Sequence, residues 1–178
     1  FPPFTPVGEI RGPWEVQFQP GRGAPDRLVL ERLTDWTEHT DAGVRHFSGV
    51  ATYRTHFEWP PEAMRSPSPA TAVWLHLGRV EVMASVTING HDLGVVWTPP
   101  FRVDVDCALR TGRNELEVRV ANLWPNRLIA DAALPAAQRL AWTTWNPFKP
   151  DAPLLPSGLL GPVTLHTATP VEAQAKRR

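Results

Sequence analysis

Apolar and polar residues alternate along much of this chain, most clearly between Val80 and Asn122. Val80, Val82, Ala84, Val86 and Ile88 share one face, with Glu81, Ser85 and Thr87 on the other. Phe101, Val103 and Val105 alternate with Arg102, Asp104 and Asp106, and Leu116, Val118 and Val120 with Glu115, Glu117 and Arg119. A period of two is that of a strand buried on one side. On a helix the same apolar residues would scatter round the whole surface. Asn89-Gly90 follows the first segment and suits the positive φ angles of a tight reversal. Gly112-Arg113-Asn114 supplies a turn just before the third. The spacing predicts an antiparallel meander.

The same pattern recurs on either side. Trp14, Val16 and Phe18 form a first strand ended by Pro20-Gly21, and a short, less regular strand runs through Leu28 and Leu30. Leu33 to Val44 reads as a loop with one helical turn. Phe47 to Trp59 alternates at length and stops at Pro60-Pro61, because proline cannot donate to a ladder. Glu62 to Thr71 is a polar loop, and Val73, Leu75 and Leu77 make another strand with Trp74 and His76 on its other face. Leu123 to Pro153 is the longest stretch without alternation. Within it Leu134 to Ala141 is expected to form a short helix, with Pro135 in its first turn. Gly161 to Thr167 closes the sheet. Eight or nine short strands separated by turn signals predict an all-β antiparallel jelly-roll sandwich. Residues 1–11 are expected to be a proline-rich lead-in or linker, 12–168 a single domain and 169–178 a tail.

Composition narrows the function. The 178 residues carry 18 basic and 18 acidic side chains, a balance unlike that of a nucleic-acid binder. No apolar run approaches the roughly 20 residues of a membrane span. Cys107 is the single cysteine, so no intrachain disulfide or cysteine metal site exists, and it is expected to be a small buried hydrophobe. The chain starts at Phe1 without a methionine, and is expected to be a processed or excised piece. Twenty prolines and eight tryptophans suit a strand-and-loop protein, and indoles serve either as core filler or as stacking platforms for sugars.

Catalytic patterns do not emerge. Gly21-Arg22-Gly23 lacks the lysine and the strand-to-helix setting of a phosphate loop, and the six histidines are scattered. Carboxylate pairs for glycoside hydrolysis are fixed by space rather than by spacing. Asp104 with Asp106, and Glu115 with Glu117, read as solvated charge on outer strand faces. The stronger signal is Asn122-Leu-Trp-Pro-Asn-Arg-Leu-Ile-Ala-Asp131, which gathers two amides, an indole and a guanidinium directly after a strand. Sugars stack their apolar ring faces on aromatics and give their hydroxyls to planar polar groups. Trp124, Asn126 and Arg127 are of the right types, and Trp97 ends another strand that reaches the same rim. A plainer reading stands beside this one: Trp124 plugs the end of the sandwich and Arg127 pairs with a carboxylate such as Asp131.

Three stretches carry a resemblance: LHLGRVEVMASVTINGHDLGVVWTPPFRVDV, TGRNELEVRVANLWPNRLIAD and LLPSGLLGPVTLH. Together they resemble the C-terminal β-domain of bacterial family 106 glycoside hydrolases, the α-L-rhamnosidases. More loosely, GVATYRTHFEWP with the later VTINGHDLG is similar to the sugar-binding jelly-roll domain of family 2 glycoside hydrolases. The likeness runs from about Gly12 to Leu165. It implies a galactose-binding-like sandwich accompanying a catalytic barrel, and the family's catalytic acids lie in that barrel, so none is assigned here. The resemblance also implies a secreted or periplasmic protein and, in many superfamily members, a structural calcium ion, for which no acidic cluster nominates ligands. The expected function is that of a non-catalytic, carbohydrate-binding or accessory domain of a larger hydrolase acting on plant polysaccharide. Its expected partners are a rhamnose-containing or other plant cell-wall glycan and the catalytic domain of the same parent chain, with neither nucleic acid nor membrane. The site expected for the glycan comprises Trp97, Asn122, Trp124, Asn126, Arg127, Trp142 and Trp145. A purely architectural domain packed on the barrel is the alternative.

Overall fold

A computed structural model describes residues 4–60 and 72–168. The polar loop expected at Glu62 to Thr71 and the tail expected at residues 169–178 lie outside the described residues. Strands make up nearly all of the regular structure. In chain order they are β1 (Phe4–Glu9), β2 (Trp14–Phe18), β3 (Arg27–Leu30), β4 (Val50–Trp59), β5 (Ala72–His76) and β6 (Arg79–Glu81). There follow β7 (Met83–Ile88), β8 (His91–Val96), β9 (Arg102–Asp104), β10 (Gly112–Ala121), β11 (Gly158–Gly161) and β12 (Thr164–Ala168). Among the described residues two short α-helices interrupt them, α1 (Ala42–Arg45) and α2 (Pro125–Ala132).

A six-stranded sheet has the order β3-β2-β4-β10-β7-β8, and a four-stranded sheet the order β1-β12-β5-β9. The strand pairs within both are antiparallel. A two-stranded ribbon of β11 and β6 stands beside them. The inner faces of the two sheets share one core, in which Val16, Tyr53, Val86 and Val118 meet Leu75, Val103 and Leu165. Burying two alternating faces against each other satisfies the period-two pattern on both sides. The all-β sandwich expected from the alternation is what forms.

Turn chemistry sets the register at the far end of the large sheet. Asn89 and Gly90 have φ of 51° and 82°, so both occupy the left-handed region between β7 and β8. The Asn89 amide donates to the Ala108 carbonyl and to Asn114 Oδ1, and its Oδ1 accepts from the Glu115 N–H. Asn114, fully buried, accepts from the Arg110 N–H and donates to the carbonyls of Arg110 and Gly112. Asn89 in the turn and Asn114 near the start of β10, 25 positions apart, thus close one polar network.

Several expectations need correction. Phe4–Glu9 is not a loose lead-in but an edge strand against β12, where Pro6 is tolerated because an edge strand need not donate outward. β8 is the strand expected to end at Trp97; its residues are half-buried or exposed, so no clean alternation marks its length. The helix expected at Leu134 to Ala141 is reduced to one 3-10 turn at Ala136–Gln138, and the true helix is α2, nine residues earlier. Pro125 opens α2 at a position where its missing N–H costs nothing. Cys107 is exposed rather than buried, because it lies in the turn after β9, where the inward alternation has ended.

Candidate functional site

Strand register carries most of the expected site to one end of the sandwich. Ala121, the last residue of β10, pairs with Met83, and Ala84 pairs with Val96 at the end of β8. Trp97 and Asn122 therefore leave the sheet at the same end, two strands or roughly 10 Å apart. α2 begins immediately after, with Trp124 as its N-cap.

The segment 139–146 is tied to α2 by polar bonds. Asp131 accepts from the N–H groups of Leu140 and Ala141 at 3.3 and 2.8 Å, and Asn146 donates to the Leu128 carbonyl at 2.8 Å. Trp142 and Trp145 are carried on this segment. Trp97, Trp124, Trp142 and Trp145 are 69%, 54%, 80% and 74% exposed, and Leu123 and Leu140 are exposed near them in sequence. Beside Trp142 lies a cavity of about 380 Å³ lined by Asp131, Arg139, Thr143, Thr144 and Asn146.

The polar members of the expected set face inward. Asn122 accepts from the Gly49 N–H at 3.0 Å and donates to the Phe47 carbonyl at 2.8 Å, tying the end of β10 to the approach to β4. Asn126 donates to the Leu155 carbonyl at 2.7 Å and to Ser157 Oγ at 3.2 Å, and accepts from the Leu155 N–H at 2.8 Å. Both ends of that buried amide are occupied. Arg127 is buried and pairs with Asp131 at 2.9 Å, the arrangement named in the plainer reading of the sequence. The end of the sandwich thus presents indoles outward and keeps its amides and guanidinium for itself.

A second polar girdle supports this end from beneath. Asp35 Oδ1 accepts from the Ser157 and Thr37 N–H groups, and Tyr53 Oη accepts from the Leu159 N–H. Burial pushes the Tyr53 phenol well above its ordinary value. Gly158, at φ 102°, lets the chain pass here: a Cβ on it would lie 2.8 Å from both the Trp36 ring and Tyr53 Oη. Sequence reading missed Asp131 as an anchor and Leu155 to Ser157 as partners, since the latter return only 29 to 35 residues after Asn126 and Asn122.

On the outside of the four-stranded sheet His76 and His166 stack with ring centroids 3.9 Å apart, beside Phe4 and Trp74. Burial, with help from the neighbouring His166 and Arg102, lowers His76 to about 4, and burial lowers His166 also. Among the described residues no three His, Cys, Asp or Glu side chains converge as metal ligands; Asp106 accepts instead from the Val73 N–H. No helix among them is long and apolar enough to cross a membrane.

Comparison with known proteins follows the same lines. A family model described as the glycosyl hydrolase 2 galactose-binding domain-like domain matches residues 35–148. The structure of a rhamnosidase from Novosphingobium sp. PP1Y matches 93% of this chain at 43% identity and a TM-score of 0.84, over 15% of its own length. A provisionally named beta-glucuronidase of Formosa agariphila is 33% identical over 180 residues, which are 88% of this chain and 15% of that protein. The beta-glucuronidase of Ruminococcus gnavus shares the fold, with a TM-score of 0.61 at 21% identity over 92% of this chain and 28% of its own. The chain therefore spans less than a third of each protein it is compared with here.

Proposed function

The chain belongs to the glycosyl hydrolase 2 galactose-binding domain-like family, and from that premise we propose that it is a non-catalytic accessory domain of a larger, rhamnosidase-like glycoside hydrolase. The observation that carries this reading is the 43% identity to a segment amounting to 15% of the Novosphingobium rhamnosidase. Its tryptophan-bearing end packs against another domain of the parent enzyme. Four exposed indoles with neighbouring leucines make an apolar end of the kind that monomeric surfaces avoid. The residues that would recognise hydroxyls, Asn122, Asn126 and Arg127, are already bonded within the chain.

A second reading, sugar stacking on Trp142, is favoured by the cavity beside it and by the hydrogen-bonding side chains of Arg139, Thr143, Thr144 and Asn146 that line it. Hydrolysis of an aryl α-L-rhamnoside tests the main reading. The longer protein containing this segment is expected to cleave it, and the 178-residue chain is not. Cleavage by the chain alone, or a longer protein that cleaves only β-glucuronides, would contradict it.

A further inference from the structure

The outer face of the six-stranded sheet carries a feature independent of the tryptophan end. Register aligns Gln17, Thr52, Arg119 and Ser85 in one row across β2, β4, β10 and β7. All four point away from the core, since their strand neighbours Val16, Phe18, Ala51, Tyr53, Val118, Val120, Ala84 and Val86 are buried. A cleft of about 410 Å³ opens over Gln17, Thr52 and Arg119 of this row, with Gln19, Arg54 and Glu117 also on its walls.

The bonding within the cleft decides what it lacks. Arg54 donates to Glu117 Oε2 at 2.8 Å through Nε and sits 2.8 Å from it through Nη2, so these two charges cancel. Its Nη1 donates to Gln17 Oε1 at 3.1 Å, and Gln19 Oε1 accepts from the Val50 N–H at 3.3 Å. Both glutamines have therefore committed their acceptor and keep their NH₂ groups as donors. Arg119 is exposed and has no ion pair or hydrogen bond among the described residues. The cleft is thus rich in donors, with one cation in excess, beside the neutral hydroxyl of Thr52. A ligand matching it supplies one anionic acceptor and several hydroxyls.

We propose that this sheet face binds a carboxylate-bearing saccharide, with Arg119 taking the carboxylate and Gln17, Gln19 and Thr52 the ring oxygens and hydroxyls. A guanidinium meets a carboxylate through two parallel N–H···O bonds, a geometry that a hydroxyl alone cannot match. The site stands apart from the accessory role, which survives if it fails.

Calorimetric titration of the chain with trigalacturonate, with its trimethyl ester and with inorganic phosphate tests it. The ester keeps the ring hydroxyls and removes the charge. Saturable binding of the acid is expected, with the ester about tenfold weaker, the scale of one charge-assisted hydrogen bond. Arg119→Gln is expected to bring the acid down to the affinity of the ester, and Arg119→Lys to retain a preference for the acid. Arg113→Gln, which removes a like charge six positions along the same strand, is expected to change neither. No binding, equal affinity for acid and ester, phosphate binding as tightly as the acid, or indifference to Arg119→Gln would each overturn the proposal.

Discussion

Arg127 and Asp131 lie one turn apart on α2 and meet at 2.9 Å, with side chains only 11% and 2% exposed. The pair sits where desolvation is costly, and Arg127 Nε is buried without a hydrogen-bond partner. Removing the cation alone strands a buried carboxylate. Arg127→Met is expected to cost about 3 kcal/mol, read as a lower urea midpoint at unchanged slope. Replacing both residues by apolar ones is expected to recover little of this, because Asp131 also holds the Leu140 and Ala141 N–H groups.

The turn network gives a second outcome. Asn89→Gly keeps the left-handed backbone but loses the bonds to Ala108, Asn114 and Glu115, and is expected to cost about 1–3 kcal/mol. Asn89→Ala loses the same bonds and adds left-handed strain of about 1 kcal/mol. Thermal unfolding of the two variants side by side separates the terms. An alanine variant as stable as the glycine variant would show that the turn is not strained.

Acid destabilisation follows from the stacked histidines. The unfolded imidazole of His76 takes its proton near 6.5, while the folded one resists until about 4. Between those values the unfolded chain binds more protons, so this contribution is fully present above the window and is lost as pH falls through it. The charged side chains near the ring are His166 and Arg102, and both lower it after burial. A falling melting temperature from about pH 7 to about pH 5 is expected, and His76→Phe, which keeps a ring against His166, is expected to flatten it.

The tryptophans divide by position. Trp36 is buried, stacks on Tyr53 and meets Phe18 and Phe47, so Trp36→Ala is expected to cost about 3–5 kcal/mol. Trp142→Ala and Trp145→Ala are expected to stay within about 0.5 kcal/mol of the parent chain in denaturant unfolding.

The sandwich was legible because alternation is a local signal. Every inward residue of β2, β4 and β10 announced itself by its neighbours two positions away. β1 escaped, and β8 showed only its end at Trp97, because edge strands with an exposed face need no alternation. α2 escaped because its eight residues span barely two turns; Pro125 at its start and the Arg127–Asp131 spacing were the available signs. In the candidate site the residue types were legible and their directions were not. Whether Asn126 faces water or protein depends on where Leu155 returns, and no local pattern encodes that. Trp97 reached the expected end because register, once three strands are placed, carries it there.

The packing role of the tryptophan end is tested most directly by iodide quenching of tryptophan fluorescence, measured on the chain alone and within the longer protein that carries it. Trp97, Trp124, Trp142 and Trp145 are expected to be open to the quencher in the chain alone, while Trp14, Trp36 and Trp59 are shielded in both. In the longer protein the exposed four are expected to become protected, without L-rhamnose. Indoles that stay equally quenchable in the longer protein, and are shielded only when L-rhamnose is added, would contradict the packing role and put a sugar on this surface instead.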